Sequence, residues 1–363
     1  MLEFQCLRKT DMKSVVLFTS LFLLGACSFR QEEITDILPD MKQDESVKAV
    51  VVENLKAYGI RTPSGLVKDG DQVIVGDLKN TDNIYRINLS NRQKKEYFPR
   101  VRTRSGGAVQ VNSLSSDGNG GWTVFDFRTG QMSVANTPVT KAGGESTIQL
   151  PAGVQHLWAV RAGNYILSTG LYEQGRYMLY SPDNQQGCYF LDYPEHACFP
   201  ELKTEIKAKL FASNVLKVRP DGTAFVCADM YSGAMDICRI ENGEIHLVRR
   251  LNFHSPRVSI RKQNGQSLVV YSRKNRFGFT DVCAASDAVY ALYSGRTFAE
   301  DSKTFQHCRT LLVIGWDGEI RMTYGVDTDL THICYDSQEK ELYGIGYTPS
   351  SSLVRIQLPD IFE

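Results

Sequence analysis

Six copies of one unit run along this chain: a short apolar strand, a polar turn carrying Asp or Gly, and a second, more strongly apolar strand. The second strand of each copy is apolar on successive residues instead of alternate ones, the pattern of a strand buried on both faces. Helical periodicity of 3.6 residues is scarce. Together these observations predict an all-β fold, a six-bladed β-propeller whose blades pack both faces against their neighbours.

The stretch before the repeats reads as a leader. An apolar run from Val15 to Leu24 follows Lys13 and closes on Leu24-Gly25-Ala26-Cys27. At roughly 10 to 12 residues it is short for a membrane-spanning helix, which needs about 20. A positive start, an apolar middle and small residues at the end make a signal peptide over residues 1–26. Residues 1–11 are polar and charged, and Met12-Lys13 is the better start for such a segment. The Leu-Gly-Ala-Cys stretch resembles a bacterial lipobox, which implies cleavage before Cys27 and lipidation of its thiol. Residues 27–45 then form the lipidated Cys and a polar, acidic, flexible tether. Within it, Gln31-Glu32-Glu33 is similar to the surface-export signal of some Gram-negative lipoproteins, with a plain solvated linker as the alternative.

The propeller is expected over residues 46–363. The paired strands are 65–67 with 73–77, 111–114 with 122–126, 156–160 with 165–168, 215–218 with 224–229, 281–284 with 289–294, and 332–335 with 342–347. Their spacing of roughly 43 to 65 residues is that of propeller blades with insertions. Third strands follow at 84–89, 132–135, 177–180, 236–240, 311–315 and 353–358. Fourth strands follow at 95–98, 189–193, 245–251 and 320–324, and 201–211 is the one fair helix candidate. The sequence stops after the third strand of the sixth copy, while residues 46–53 form a β-branched strand with no partner ahead of the first. That strand is expected to be the outer strand of the last blade, closing the ring and removing a sheet edge. A pair of β-sandwiches is the competing fold; six similar hairpins without a break in composition favour one ring.

The lipobox, the Asp-ended second strands and the segment Ala288-Val289-Tyr290-Ala291-Leu292-Tyr293-Ser294-Gly295-Arg296 resemble the TolB-like six-bladed β-propeller lipoproteins of Gram-negative bacteria. The resemblance covers residue 46 to the end. It implies this fold and a lipid-anchored place in the cell envelope, at the outer membrane. That family mostly has no assigned activity. Its members tend to carry a Gly- and Arg-rich loop after the first blade; residues 100–107 stand there, without the Gly-Pro-Gly run expected of it.

Charge and motifs exclude several classes of function. The 41 Lys and Arg equal the 41 Asp and Glu, so no global field draws the chain to nucleic acid, and no helix-turn-helix or heptad pattern is present. Of nine cysteines, Cys6 falls in the leader and Cys27 is the lipidation site, leaving an odd number. Cys227 with Cys238, opposite each other if the hairpin centres on Ser232-Gly233, and Cys188 with Cys198 are candidate disulfides; buried reduced thiols are the alternative. No Cys-x-x-Cys or His-x-x-x-His spacing points to zinc, no nucleophile elbow surrounds Ser64, and no phosphate-binding loop is present. No metal or cofactor is expected.

The predicted fold selects its own site. First strands line the central channel, and the ends of second strands share one face of the disc with the connections between blades. Asp77, Asp126, Asp229, Arg102, Arg104, Arg273, Arg276 and Arg296 are therefore candidate ligand-binding residues at that mouth. The alternative is that these charges only neutralise each other or brace loops. The reading is a monomeric envelope lipoprotein that binds an unknown protein partner or an acidic glycan there, the arginine forks taking carboxylate or sulfate groups. The competing reading is a propeller-type glycan lyase or hydrolase with Asp126 and Asp229 as acid and base. Replacing Cys27 with Ala is expected to move the protein from the membrane to the soluble fraction; a variant that stays in the membrane with residues 12–26 attached contradicts the lipobox.

Overall fold

A computed structural model describes residues 43–78, 83–91, 95–97, 113–116, 121–136, 146–195, 201–336, 338–347 and 350–359. Two strands, β1 (Glu45–Val47) and β2 (Ala49–Asn54), come first and pair at the far end of the chain. Blade 1 follows as β3 (Pro63–Asp69), β4 (Gln72–Asp77), β5 (Asn83–Asn88) and β6 (Lys95–Tyr97). Blade 2 is β7 (Ser115–Ser116), β8 (Gly121–Asp126), β9 (Gln131–Asn136) and β10 (Ser146–Gln149). Blade 3 is β11 (His156–Ala162), β12 (Tyr165–Gly170), β13 (Tyr177–Ser181) and β14 (Gln186–Phe190). A short helix, α1 (Thr204–Leu210), leads to blade 4: β15 (Asn214–Val218), β16 (Ala224–Asp229), β17 (Ala234–Glu241) and β18 (Glu244–Asn252). A separate hairpin, β19 (Val258–Gln263) and β20 (Gln266–Tyr271), packs Val258, Val269 and Tyr271 onto the apolar side of α1. Blade 5 is β21 (Phe279–Ala284), β22 (Ala288–Tyr293), β23 (Cys308–Gly315) and the first part of β24 (Ile320–Asp336). Blade 6 is the last part of β24 with β25 (Glu341–Tyr347), β26 (Ser351–Gln357) and β2.

The chemistry of each element accounts for its place. All six residues of β8, of β16 and of β22 are buried, as second strands flanked by two blades must be. Asn242-Gly243 and Asn264-Gly265 both take positive φ and turn the β17–β18 and β19–β20 hairpins, the torsions a two-residue hairpin turn demands. Besides the cluster around α1, the apolar core of the described residues divides into one cluster for each pair of neighbouring blades. Trp122 and Ile74 meet between blades 1 and 2, Met132 and Ile166 between 2 and 3, Leu179 and Phe225 between 3 and 4. Val226 and Leu312 meet between blades 4 and 5, Leu311 and Val354 between 5 and 6, Tyr343 and Val73 between 6 and 1. Six interfaces for six blades make a closed ring.

The closing strand is where expected, with a difference. β2 pairs antiparallel with β26, Ala49 opposite Ile356 and Asn54 opposite Ser352, so the N-terminal strand completes the last blade. Its start does not continue in that sheet. β1 crosses to blade 5 and lies parallel to β24, Glu45 opposite Tyr324 and Val47 opposite Val326. Further differences concern insertions and joins. The expected strands at 320–324 and 332–335 are parts of one seventeen-residue strand, β24. The outer strand of blade 2, β10, and the β19–β20 hairpin have no counterpart in the sequence reading. Among the described residues no helix is long and apolar enough to cross a membrane; the leader and Cys27 lie outside those residues.

Removing residues 45–54 strips both pairings and the buried Val47 from the ring. At ~1 kcal/mol net per hydrogen bond, the melting temperature is expected to fall by about 5–10 °C or more. Calorimetry of the deletion against the intact chain checks this; unchanged melting contradicts a closing role for the strand.

Candidate functional site

Around one mouth of the channel the inner strands depart from regular pairing in a repeated way. In β3, Pro63 pairs with Asp77 and Gly65 with Gly76, leaving Ser64 as an extra residue. The same one-residue bulge falls on Leu157 in β11, on Thr280 in β21 and on Thr331 in β24. All four bulged residues line a single cavity of about 480 Å³. Blade 2 adds Leu114 and blade 4 adds Asn214, so all six blades reach it. A bulge re-aims the side chain of its extra residue, and here it does so at the same position of four blades.

The cavity is lined by apolar and aromatic side chains and by polar ones in about equal share. Phe127, Trp158, Phe277 and Tyr347 form its sides. At the rim, Lys303 and Gln306 are exposed, and the His307 ring stacks on Tyr347 with centroids 4.5 Å apart. Deeper, Asp281 accepts from the backbone N–H of Val282 at 2.9 Å and of Ile333 at 3.0 Å, which occupies both its oxygens. Lys217 donates to the Leu114 carbonyl at 3.1 Å. Burial, above all, holds the imidazole of His332 below its ordinary value; Asp281 opposes that shift and Lys217 adds to it. His332 is therefore a neutral hydrogen-bonding group at neutral pH.

None of the described residues selected from sequence lines this cavity. Asp77 is fully buried and accepts the backbone N–H of Thr62 at 2.9 Å and of Arg61 at 3.3 Å, fixing the entrance to β3. Asp126 plays a similar part for the backbone N–H of Arg128 at 3.0 Å. Arg273 lies over the Phe298 ring at 5.2 Å, and Arg276 donates to the Gly295 carbonyl at 2.7 Å. Arg296 is held by Thr304 and by Asp329, the latter at 2.9 Å. These groups mostly brace loops near the mouth. Arg102 and Arg104 lie outside the described residues.

Asp229 belongs to a buried charge network between blades 3 and 4. Arg176 donates to Asp229 at 2.7 Å and stands 3.3 Å from Asp236. Asp236 also accepts from Arg250 at 2.7 and 2.9 Å and from the Tyr177 hydroxyl at 2.7 Å. With two guanidiniums and a hydroxyl on it, Asp236 is held down at about 2 despite burial. Burial outweighs the single Arg176 contact at Asp229 and pushes it up to about 6.

The thiols also differ from expectation. Cys227 and Cys238 are free and buried; Cys227 pairs with Asp236, and Cys238 with Phe225. The hairpin thus centres one residue earlier than Ser232-Gly233, which separates the two cysteines along the ladder and leaves no bridge. Burial pushes Cys227 up to about 12, an inert thiol. Cys188 is an exposed free thiol, and Cys198 lies outside the described residues. Among the described residues no group of three or more His, Cys, Asp or Glu is placed to hold a metal ion.

A sequence profile of the family described as TolB-like 6-blade propeller-like matches residues 40–338. No curated protein matches the sequence. Similar solved structures include virginiamycin B lyase from Staphylococcus aureus, at 13% identity and a TM-score of 0.47, covering 82% of this chain and 95% of that one. They also include the RRP9 WD40 repeats, at 10% and 0.49, covering 86% and 97%. Regucalcin from Agrobacterium tumefaciens, described as a calcium-binding protein, matches at 10% and 0.47, covering 86% and 94%.

Replacing Arg176 with Met leaves the buried Asp229 without its cation, while Asp236 keeps Arg250 and the Tyr177 hydroxyl, and is expected to cost ~3–5 kcal/mol at neutral pH. Without Arg176 the folded-state value of Asp229 rises further above about 6, while its unfolded value stays near about 4. The folded variant then holds a proton that the unfolded chain releases, so its stability falls as pH rises. Urea unfolding is expected to show a larger deficit at pH 8 than at pH 5, and partial recovery in the Arg176→Met, Asp229→Asn double variant.

Proposed function

This chain belongs to the TolB-like 6-blade propeller-like family, and on that premise we propose that it is a cell-envelope lipoprotein, anchored through Cys27, whose propeller holds a ligand at the channel mouth. The observation that carries this reading is the bulge repeated at Ser64, Leu157, Thr280 and Thr331. Blade 4 takes its place in the ring with a regular inner strand, and each bulge interrupts a ladder. Its effect is to turn four side chains from four blades onto one cavity. Concave sites that combine apolar walls with placed polar groups are the usual form of small-ligand pockets.

The lining narrows the class of ligand. The rings of Phe127, Trp158, Phe277 and Tyr347 suit the faces of sugar rings or flat side chains. The cations Lys303 and Lys217 lie in the same lining, where Asp281 is the one carboxylate among the described residues and is already satisfied by two backbone N–H groups. A ring-bearing ligand with an acidic group, such as an acidic glycan, fits these features. Glycoside hydrolysis calls for two carboxyl groups about 5–9.5 Å apart across the bond, and neither Asp126 nor Asp229 lines the cavity. Binding is therefore the favoured reading.

Acidic oligosaccharides are expected to bind more tightly than neutral ones of equal length, with Lys303→Gln reducing that preference about tenfold and Phe127→Ala weakening both classes. Calorimetric titration of the three proteins measures this. Equal affinity for both classes in the wild type, or variants that bind as it does, removes the cavity from the account.

A further inference from the structure

The channel has a second mouth, on the opposite face, with a different chemistry. There the ends of the inner strands and the turns that follow them enclose a cavity of about 310 Å³, at the lower end of the ~300–1,000 Å³ typical of ligand pockets. Its lining holds four basic side chains, Lys68, Arg161, Lys217 and Arg219, against one acidic residue, Asp221. Two of the four are matched. Lys68 is paired with Asp336, and Arg219 with Asp221 at 2.7 Å. The other two have no carboxylate partner among the described residues. Arg161 donates from Nε to the Gly163 carbonyl at 3.2 Å, which leaves its two terminal nitrogens for another acceptor. Among the described residues Lys217 is bound only to the Leu114 carbonyl, leaving two of its three protons.

The wall beside these cations is rigidly built. Gly222 takes φ +76°, and a Cβ there would sit 2.8 Å from the Gly163 amide nitrogen, so the turns of blades 3 and 4 pack backbone to backbone. Asp221 accepts from the Thr223 N–H and hydroxyl, both at 2.9 Å, and fixes the second turn. Arg161 and Arg219 are thus presented from two interlocked turns, with Lys217 behind them in the channel wall. A recess lined by cations focuses the field that draws an anion, and an Arg fork beside a Lys suits a planar or tetrahedral oxyanion.

We infer that this opposite mouth is a second binding site, for a small ligand bearing an oxyanion, phosphoryl or carboxylate, held by Arg161 and Lys217. The site is separate from the ligand cavity proposed above; Arg161 lines only this mouth, whereas Lys217 lines both. The test is equilibrium dialysis of the full chain with inorganic phosphate and with malonate at fixed ionic strength. One of the two is expected to bind saturably, phosphate alone marking a phosphoryl ligand and malonate alone a carboxylate. Arg161→Gln and Lys217→Gln are each expected to weaken that binding about tenfold, with Arg239→Gln, an exposed site on the outer part of blade 4, binding as the wild type does. Should Lys217→Gln fail to fold, as its circular dichroism would show, Arg161→Gln alone decides. The inference is overturned if neither anion binds the wild type, if Arg161→Gln binds as the wild type does, or if Arg239→Gln weakens binding equally.

Discussion

The structure depends on closing a ring of sheets with a strand from the opposite end of the chain. Each blade is buried on both faces, so a gap between any two would expose two apolar surfaces at once. The gap between blades 6 and 1 is filled by Leu353, Tyr343 and Ile345 against Leu66, Val73 and Tyr85. That contact is possible only because β2 completes the sheet of blade 6 and leads directly through Leu55 and Ile60, both fully buried, into blade 1. β24 does related work at the neighbouring join. By ending blade 5 and beginning blade 6 without a break, it fixes the rotation from one blade to the next.

The same architecture explains why the inner strands can carry irregular features. A second or third strand is hydrogen-bonded on both edges, and an extra residue there would disrupt two ladders. An inner strand pairs on one edge only, its other edge facing the channel, so a bulge costs a single ladder. Four blades place that distortion next to the mouth, while the fully buried second strands stay regular. Regular pairing and the lining of the cavity are thus allotted to different strands of one blade.

Much of this was legible in the residues. The runs at 224–229 and 289–294, apolar without alternation, mark strands with two buried faces, and the unpartnered strand after residue 45 marks the closure. That the inner strands meet around a cavity at one channel mouth also followed from topology. Its residues did not. A bulge adds one residue to a strand without altering its composition, so nothing in Thr280 or Thr331 separates them from their neighbours. Asp229 ends its strand as Asp77 and Asp126 do, yet its partner Arg176 lies 53 residues earlier, a distance no local pattern spans. The Cys227 and Cys238 reading failed on a hairpin centre misplaced by one residue, a shift that changes every partner along a ladder. β10 was missed because Ser146-Thr147-Ile148-Gln149 carries one apolar residue in four.

The crossing of β1 to blade 5 has a mechanical side. β1 and β2 grip the two blades at the seam of the ring, blade 5 through Tyr324 to Val326 and blade 6 through Ser352 to Ile356. The Asp44 amide donates to the Thr323 carbonyl and the Ala49 amide to the Asp327 carboxylate, which rivet the crossing at both ends of β1. Tension arriving from the N-terminal side is therefore taken up first by β1, and must peel it from blade 5 before it can reach the strand that closes the ring. The short segment works as a strain relief for the seam, keeping a pull on β1 from becoming a pull on the lock.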